Sequence, residues 1–436
     1  MVKNKKIFIY LVFFLFASWL FSYLGGESKL TNGFNNAIRS DGLGYYAWTQ
    51  FFLQDQNLCF DNIRNQYDDY SPENAWVIKP ITNSTCYMPI YPFGLGISLI
   101  PFYAIALLFT FQKDILIDPL SQNFQILISS SGLIFILMGL YLFLQIIKNN
   151  LQSYLKINAN FIIISLLLGS NLFHYATYDG IFSHASSFFI NSLLIFTFIR
   201  FIKYNYLSKI DSFVIGFLPL FGVTIRPTNF TFVIFTIFTL YLVIKHKTYK
   251  NFVYLIVGSL VGLTLIVLQL LIWKITTGSF FYFTYYDYEG FEFQLRNVFL
   301  IFFSFNPHGL LPWSPIILLA IVGAFKAYYF SKSLFFLSFI IFATNSIIFA
   351  SWSQPFGGGA FGNRLFIDLY PLLFISIALA YSSKKFSNLL LLFSILSVLV
   401  TIHLTYQYWK GEIDFGGIPF DQYLDQISEM VRFIAQ

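Results

Sequence analysis

Residues 252–274 read FVYLIVGSLVGLTLIVLQLLIWK, and the first charge in that run is Lys274 at its very end. A helix of about 20 apolar residues can cross a bilayer, so the run predicts a membrane-spanning helix. Lys245, Lys247 and Lys250 stand just before it, and a stretch rich in aromatic rings follows it. Lysine gathers at the cytoplasmic ends of spanning helices, so this helix is read as starting at the cytoplasm.

The same pattern extends in both directions. Apolar stretches at 7–24, 124–147, 159–178, 184–202, 211–225, 229–245, 252–274, 313–330, 333–351, 365–382 and 387–405 predict an all-α integral membrane protein with about 11 transmembrane helices. Short basic loops carry Lys148 and Lys156; Arg200, Lys203 and Lys209; Lys245, Lys247 and Lys250; Lys326 and Lys332; and Lys384 and Lys385. They alternate with loops rich in Gly, Pro, Asn and aromatic residues. The positive-inside rule puts the basic loops and the N-terminus, with Lys3, Lys5 and Lys6, in the cytoplasm. The other face is then extracytoplasmic. It holds a first loop at 25–91, a second at 277–312, turns at 179–183, 226–228 and 352–364, and a tail at 406–436. Residues 95–112 break the alternation: if they spanned, the Lys148 loop would fall outside. With Pro101 inside and Pro89, Pro92 and Gly94 before it, this segment is read as surface-lying or re-entrant.

Composition agrees. Hydrophobic residues make up 57% of the chain and charged ones 11%, against about a quarter charged in soluble domains. Lipid must be the solvent for so much apolar surface. The net charge of +6 is dispersed between apolar runs, which excludes a nucleic-acid patch. No appended soluble segment and no internal repeat stands out, so 1–436 reads as a single polytopic domain. The run at 7–24 lacks a small-x-small cleavage site and reads as a retained helix.

The candidate chemistry lies on the extracytoplasmic face. Asp41, in Arg39-Ser40-Asp41-Gly42, follows the first helix; the segment 45–53 can lie on the membrane surface as a short helix. A carboxylate held there can act as a general base, or serve simply as a helix cap or turn residue. Arg226 lies between two apolar runs, where an arginine faces either a cavity or the headgroups. Arg364 closes the turn from Trp352 through Gly357-Gly358-Gly359 to Asn363; a guanidinium beside such a turn can grip phosphate bidentately. His184 and His308 open two other loops and can pair, bind phosphate or metal, or satisfy local hydrogen bonds. The run from Tyr285 to Glu292 mixes rings and carboxylates, as a sugar site or an interfacial aromatic belt would. Asn83-Ser84-Thr85 matches a glycosylation acceptor. Both cysteines, Cys59 and Cys86, fall in the first loop. They are either free thiols or, in an oxidising compartment, a bridge worth roughly 3 kcal/mol. No metal-site motif is present, and the sequence neither requires nor excludes a divalent cation.

These pieces resemble the GT-C superfamily of membrane glycosyltransferases, closest to the bacterial branch of protein O-mannosyltransferases and lipid A aminoarabinose transferases. The resemblance rests on Ser40-Asp41-Gly42 with Tyr45-Tyr46, Met88 to Gly94, Ser183-His184-Ala185, Arg226-Pro227-Thr228-Asn229, and Gly357 to Arg364. It implies an inverting transfer of sugar from a polyprenyl-phosphate donor to a lipid, glycan or protein acceptor at the plasma (bacterial inner) membrane. Asp41 would be the base and Arg364 the phosphate grip. Arg226, His184, Asn363 and Tyr45 would be further substrate- or phosphate-binding residues. Many relatives carry two prolines after a lysine in the second motif. Here Pro89 and Pro92 are spread apart and Lys79-Pro80 lies upstream, so no role falls to Lys79. A transporter, or a flippase or polymerase of lipid-linked glycans, is the competing reading.

Overall fold

The structure, a computed structural model, describes residues 2–24, 36–81, 86–110, 118–247, 249–282, 290–383 and 385–435. Residues 25–35 of the first loop, the Asn83-Ser84-Thr85 tripeptide, residues 285–289 of the ring-and-carboxylate run, and Lys384 lie outside the described residues. The fold is all-α. In chain order the helices are α1 (Val2–Leu24), α2 (Asp41–Gln50), α3 (Asp61–Tyr70), α4 (Gly94–Thr110), α5 (Gln122–Ile146), α6 (Ala159–Leu168), α7 (Leu172–Thr177), α8 (Ser183–Tyr204), α9 (Lys209–Ile225), α10 (Val233–His246), α11 (Phe252–Thr277), α12 (Leu295–Phe303), α13 (Leu310–Trp313), α14 (Leu318–Phe330), α15 (Lys332–Ser351), α16 (Tyr370–Ala380), α17 (Ser387–Lys410) and α18 (Phe420–Ala435). Strands β1 (Ile78–Pro80) and β2 (Tyr87–Pro89) pair antiparallel with Lys79 opposite Met88.

Among the described residues, seven helical stretches are long and apolar enough to cross a membrane: Ile7–Leu24, Gln122–Leu151, Ser183–Tyr204, Pro227–Lys245, Phe252–Thr277, Lys332–Ser351 and Ser387–Lys410. On α11 the side chains of Val253, Leu260, Leu263, Val267 and Leu271 face outward. Such a surface needs an apolar solvent.

Of the other four expected stretches, three are built from shorter pieces and the fourth is a shorter helix. Residues 159–178 divide into α6 and α7 at Gly169-Ser170-Asn171, 313–330 begin with a 3-10 turn at Pro315–Ile317, and 365–382 begin with another at Arg364–Leu369. The fourth, α9, is 17 residues long with Pro219 inside. Three of the breaks meet. Asn171 N–H donates to Ser314 Oγ (3.0 Å), and the Tyr370 hydroxyl donates to Asn171 Oδ1 (2.6 Å). Irregular backbone deep in a bundle is tolerated where neighbouring protein satisfies it, and here side chains from three breaks satisfy one another.

The basic loops collect at one end of the bundle. Lys203 Nζ donates to the Asn149 carbonyl (2.9 Å), Asn251 Nδ2 to the Leu207 carbonyl (2.9 Å), and Lys156 N–H to the Tyr381 carbonyl (3.3 Å). The opposite end is tied by Tyr23 OH to the Tyr178 carbonyl (2.6 Å), Ile38 N–H to Gln125 Oε1 (2.7 Å) and Phe93 N–H to Gln269 Oε1 (2.9 Å). Helix α4 begins at this second end. Thr49 Oγ1 donates to the Gly96 carbonyl (3.0 Å), and after α4 the chain stands beside α2 again at Pro119, whose carbonyl accepts from Tyr46 (2.7 Å). The chain is thus at the same end before and after α4, and Pro101 sits within one continuous helix.

Two local expectations change. The short helix expected at 45–53 starts at Asp41; residues 41–50 are buried under protein, and the chain continues as a π-helical turn at Phe51–Asp55 that leaves Leu53 exposed. The 406–436 tail holds the last residues of α17 and the amphipathic α18, which buries Tyr423 and Met430 and leaves Leu424, Val431 and Phe433 exposed. Cys59 and Cys86 are joined by a disulfide, with Cα atoms 4.8 Å apart, which fastens the chain before α3 to the chain entering β2.

Candidate active site

At the end of the bundle away from the lysine loops, a cavity of about 860 Å³ opens between the first loop, α9, α11, α15 and the Gly-rich turn. Its wall is set first by backbone. Ser40 takes φ +47°, and the turn Gly42 N–H to Arg39 carbonyl (2.9 Å) starts α2 at Asp41. Asp41 thus presents its carboxylate from the first turn of a helix, where the N-terminal partial charge favours an anion. Gly42 is required by packing: a Cβ there would collide with Ile181.

Three arginines line the cavity, and each meets an aspartate. Arg364 Nη1 lies 2.8 Å from Asp41 Oδ2, Arg39 Nη2 lies 2.9 Å from Asp179 Oδ1, and Arg226 Nε lies 2.7 Å from Asp368 Oδ2. The arginine side chains are 11%, 11% and 14% exposed in that order. Charges this deep are costly unless paired, which accounts for the one-to-one matching.

What stands behind the aspartates differs. Asp179 Oδ2 is 2.8 Å from His174 Nε2, and His174 Nδ1 accepts from Trp409 Nε1 (3.0 Å). An indole N–H can only donate, so the His174 proton sits on Nε2 and points at Asp179. Burial raises the Asp179 carboxyl, but Arg39 and His174 outweigh it and hold the group below the usual carboxylate range. Asp368 is backed more loosely. His184 Nε2 faces Arg226 Nη1 at 3.2 Å, and guanidinium has no acceptor, so His184 Nδ1 carries the proton; it stands 3.4 Å from Asp368 Oδ1 without a hydrogen bond between them. Asp41 has no histidine behind it; among the described residues Arg364 is its ion-pair partner.

Much of the rest of the wall is aromatic. Tyr45 stacks on Tyr91 with centroids 4.2 Å apart, and its hydroxyl meets Ser183 Oγ at 2.9 Å; Ser183 Oγ also accepts from Arg226 Nη1 (3.1 Å). Trp273, Trp352, Tyr408 and Phe415 add further rings, and Glu73, Asn74, Thr228 and Gln354 are polar members of the lining. Gly357 (φ +80°) and Gly358 (φ +74°) take a left-handed backbone that other residues adopt at a cost, and the turn they make packs against the Arg364 side chain. Arg364 also lies over the Phe182 ring, 5.2 Å from its centroid.

No family model, curated protein or solved structure matches this chain. The site is therefore read from its own geometry. Asp41, Tyr45, Arg226 and Arg364, picked from the sequence, come together on the cavity wall. His184 lies behind it, holding Arg226 and Asp368. Asn363 is not on the wall: its side chain caps the 3-10 turn, accepting from Leu365 N–H (3.2 Å). His308 packs on Trp313, with centroids 5.9 Å apart, and burial pushes its imidazole down to about 4. Lys79 sits in β1 away from the cavity. Asn229 turns inward and donates to Ser187 Oγ (3.0 Å) and the Gly222 carbonyl (3.1 Å), which fixes the turn that carries Arg226.

Sequence reading missed Arg39, Asp179, His174 and Asp368. His174 and Asp368 each stand inside a stretch read as a span. An ionisable residue there is a functional candidate by default, so the signal was present.

Proposed function

We propose that the chain is an inverting glycosyltransferase that moves a sugar from a polyprenyl-phosphate donor to an acceptor hydroxyl on the extracytoplasmic side of the bacterial inner membrane. In this reading the four remaining stretches also cross the bilayer, giving eleven crossings, and the lysine end is cytoplasmic. The observation that carries it is the contact of Asp41 with Arg364, 2.8 Å apart, on the wall of one cavity. A proton acceptor and a phosphate grip stand where an acceptor oxygen and a leaving phosphate would meet.

The chemistry balances with these groups. The acceptor oxygen attacks the anomeric carbon, the bond from that carbon to the phosphate oxygen breaks, and the hydroxyl proton passes to Asp41. Polyprenyl phosphate leaves with the bonding electrons. Arg364, with Arg226 beside it, stabilises the charge that grows on the phosphate in the transition state. The aromatic wall suits a sugar ring and the first isoprene units.

The test is sugar transfer from a labelled polyprenyl-phosphate sugar in membranes carrying wild type or Asp41→Asn. General-base loss costs about 100- to 10,000-fold, so turnover at saturating donor should fall by at least the lower figure with protein abundance unchanged. A folded Asp41→Asn protein that transfers at near wild-type rate would remove Asp41 from the mechanism. No transfer by the wild type from any polyprenyl-phosphate sugar would favour a flippase or transporter.

A further inference from the structure

The three Arg–Asp pairs around the cavity are alike in distance but not in how they are held. Asp179 is clamped between Arg39 and His174, and His174 is itself fixed by Trp409. Asp368 lies between Arg226, at 2.7 Å, and His184, at 3.4 Å, which are hydrogen-bonded to each other, and it is 3% exposed against 12% for Asp41. Asp41 has Arg364 alone among the described residues. An anion entering the cavity can part a two-member contact more easily than a closed three-member one, since a departing Asp179 or Asp368 would abandon two partners.

There is a conflict to resolve at the unclamped pair. A carboxylate oxygen engaged by a guanidinium is not available for an acceptor proton, and a guanidinium engaged by a carboxylate is not available for phosphate. One cation cannot fully serve both anions. We propose that Arg364–Asp41 is an exchange pair: the donor phosphate takes Asp41's place on Arg364 and so releases the carboxylate to act as base. The Arg39–Asp179 and Arg226–Asp368 pairs stay closed and hold their guanidiniums in place. Donor binding then precedes acceptor activation, and the base stays covered in the empty site. This rests on the transferase reading for the identity of the phosphate as a polyprenyl monophosphate and for the use of the freed carboxylate as base; the exchange itself does not.

The test needs no turnover. Decaprenyl phosphate, which carries no sugar, is titrated into purified protein. Asp41 competes with the phosphate for Arg364, so Asp41→Asn should bind this lipid about tenfold or more tighter than wild type, because one charge-assisted contact no longer has to be given up. Asp179→Asn removes the same charge from the same wall and should tighten binding by about threefold at most. The Asp41→Asn gain should vanish in an Arg364→Gln background. Unchanged or weaker binding by Asp41→Asn, or equal gains from Asp41→Asn and Asp179→Asn, would overturn the exchange. A second measurement uses the wild type and covers misfolding of the variants. Carbodiimide labelling followed by peptide mapping should show Asp41 reacting several-fold faster with the lipid present and Asp179 unchanged. Lipid-independent labelling of Asp41 would overturn the proposal as well. Wild-type sugar transfer measured on the same preparations separates the two ideas: transfer without exchange sinks only the exchange, and exchange without transfer sinks only the transferase reading.

Discussion

The lysine loops and the cavity wall use cations differently. In the loops Lys203 reaches a backbone carbonyl, Lys245 lies over Tyr241 and Lys332 over Tyr328, at 5.6 and 5.5 Å from the ring centroids. The ion pair at the lysine end, Arg200–Asp211 at 3.3 Å, has an arginine that is 46% exposed. On the cavity wall the cations are the guanidiniums of Arg39, Arg226 and Arg364, all nearly buried and each opposed by a carboxylate. Charges of the first kind are replaceable, since each has water or headgroups within reach. Charges of the second kind are interdependent, since removing one strands another. Where a charge sits therefore tells how strongly it depends on its partner.

This contrast is sharpest at Asp368. Asp368→Asn leaves Arg226 buried without its anion, and stranding one partner of a buried pair costs about 3–5 kcal/mol. Thermal unfolding in detergent should show a large drop, partly restored when Arg226→Gln is added. A wild-type melting curve for the single variant would mean that the buried pair is not structural. Next comes the staple in the first loop. Cys86→Ser removes a cross-link worth roughly 3 kcal/mol, so melting should fall clearly and wild type in strong reductant should match the variant. Two alkylatable thiols in native membranes would show that the bridge does not form. Arg364→Lys keeps the charge and loses the planar fork. Hydrogen bonds to charged groups are worth about 1.5–3 kcal/mol each, so sugar transfer should fall roughly 10- to 100-fold while melting changes little. Activity near wild type for both Arg364→Lys and Arg364→Ala would make the Gly-rich turn merely structural. At the other end, Lys203→Ala and Lys332→Ala should leave the melting temperature within about 1 °C of wild type and transfer intact. A large loss from either would break the comparison.

Much of this was legible in the sequence because two of its signals are additive. Apolar length and lysine position survive averaging over a window, and they located the long helices and sorted the loops to opposite ends. Asp41, Tyr45, Arg226 and Arg364 were legible because each stands at the mouth of an apolar run. The breaks at Asn171 and Ser314 were not, because a hydropathy average does not register that backbone groups there bond to side chains far along the chain. Asp368 and His174 were hidden for the same reason, each a single polar residue diluted by apolar neighbours. Arg39 stood inside a quoted motif and Asp179 opens the turn at 179–183, but the two are 140 positions apart, and only folding shows that they are partners. The amphipathic α18 went unread because its apolar residues recur at helical spacing among acids and never form a run.

The fixed tautomers of His174 and His184 bear on bookkeeping across the membrane. Trp409 occupies one nitrogen of the first ring and Arg226 one nitrogen of the second; the remaining proton of His174 points at Asp179, and that of His184 stands 3.4 Å from Asp368 Oδ1. Among the described residues neither imidazole is hydrogen-bonded to Asp41. A proton taken up by Asp41 in the proposed reaction would leave through the mouth by which the acceptor entered. In the proposed reaction, sugar, proton and lipid phosphate all stay on one side, so turnover moves no net charge through the electric field and runs at the same rate in polarised and depolarised vesicles.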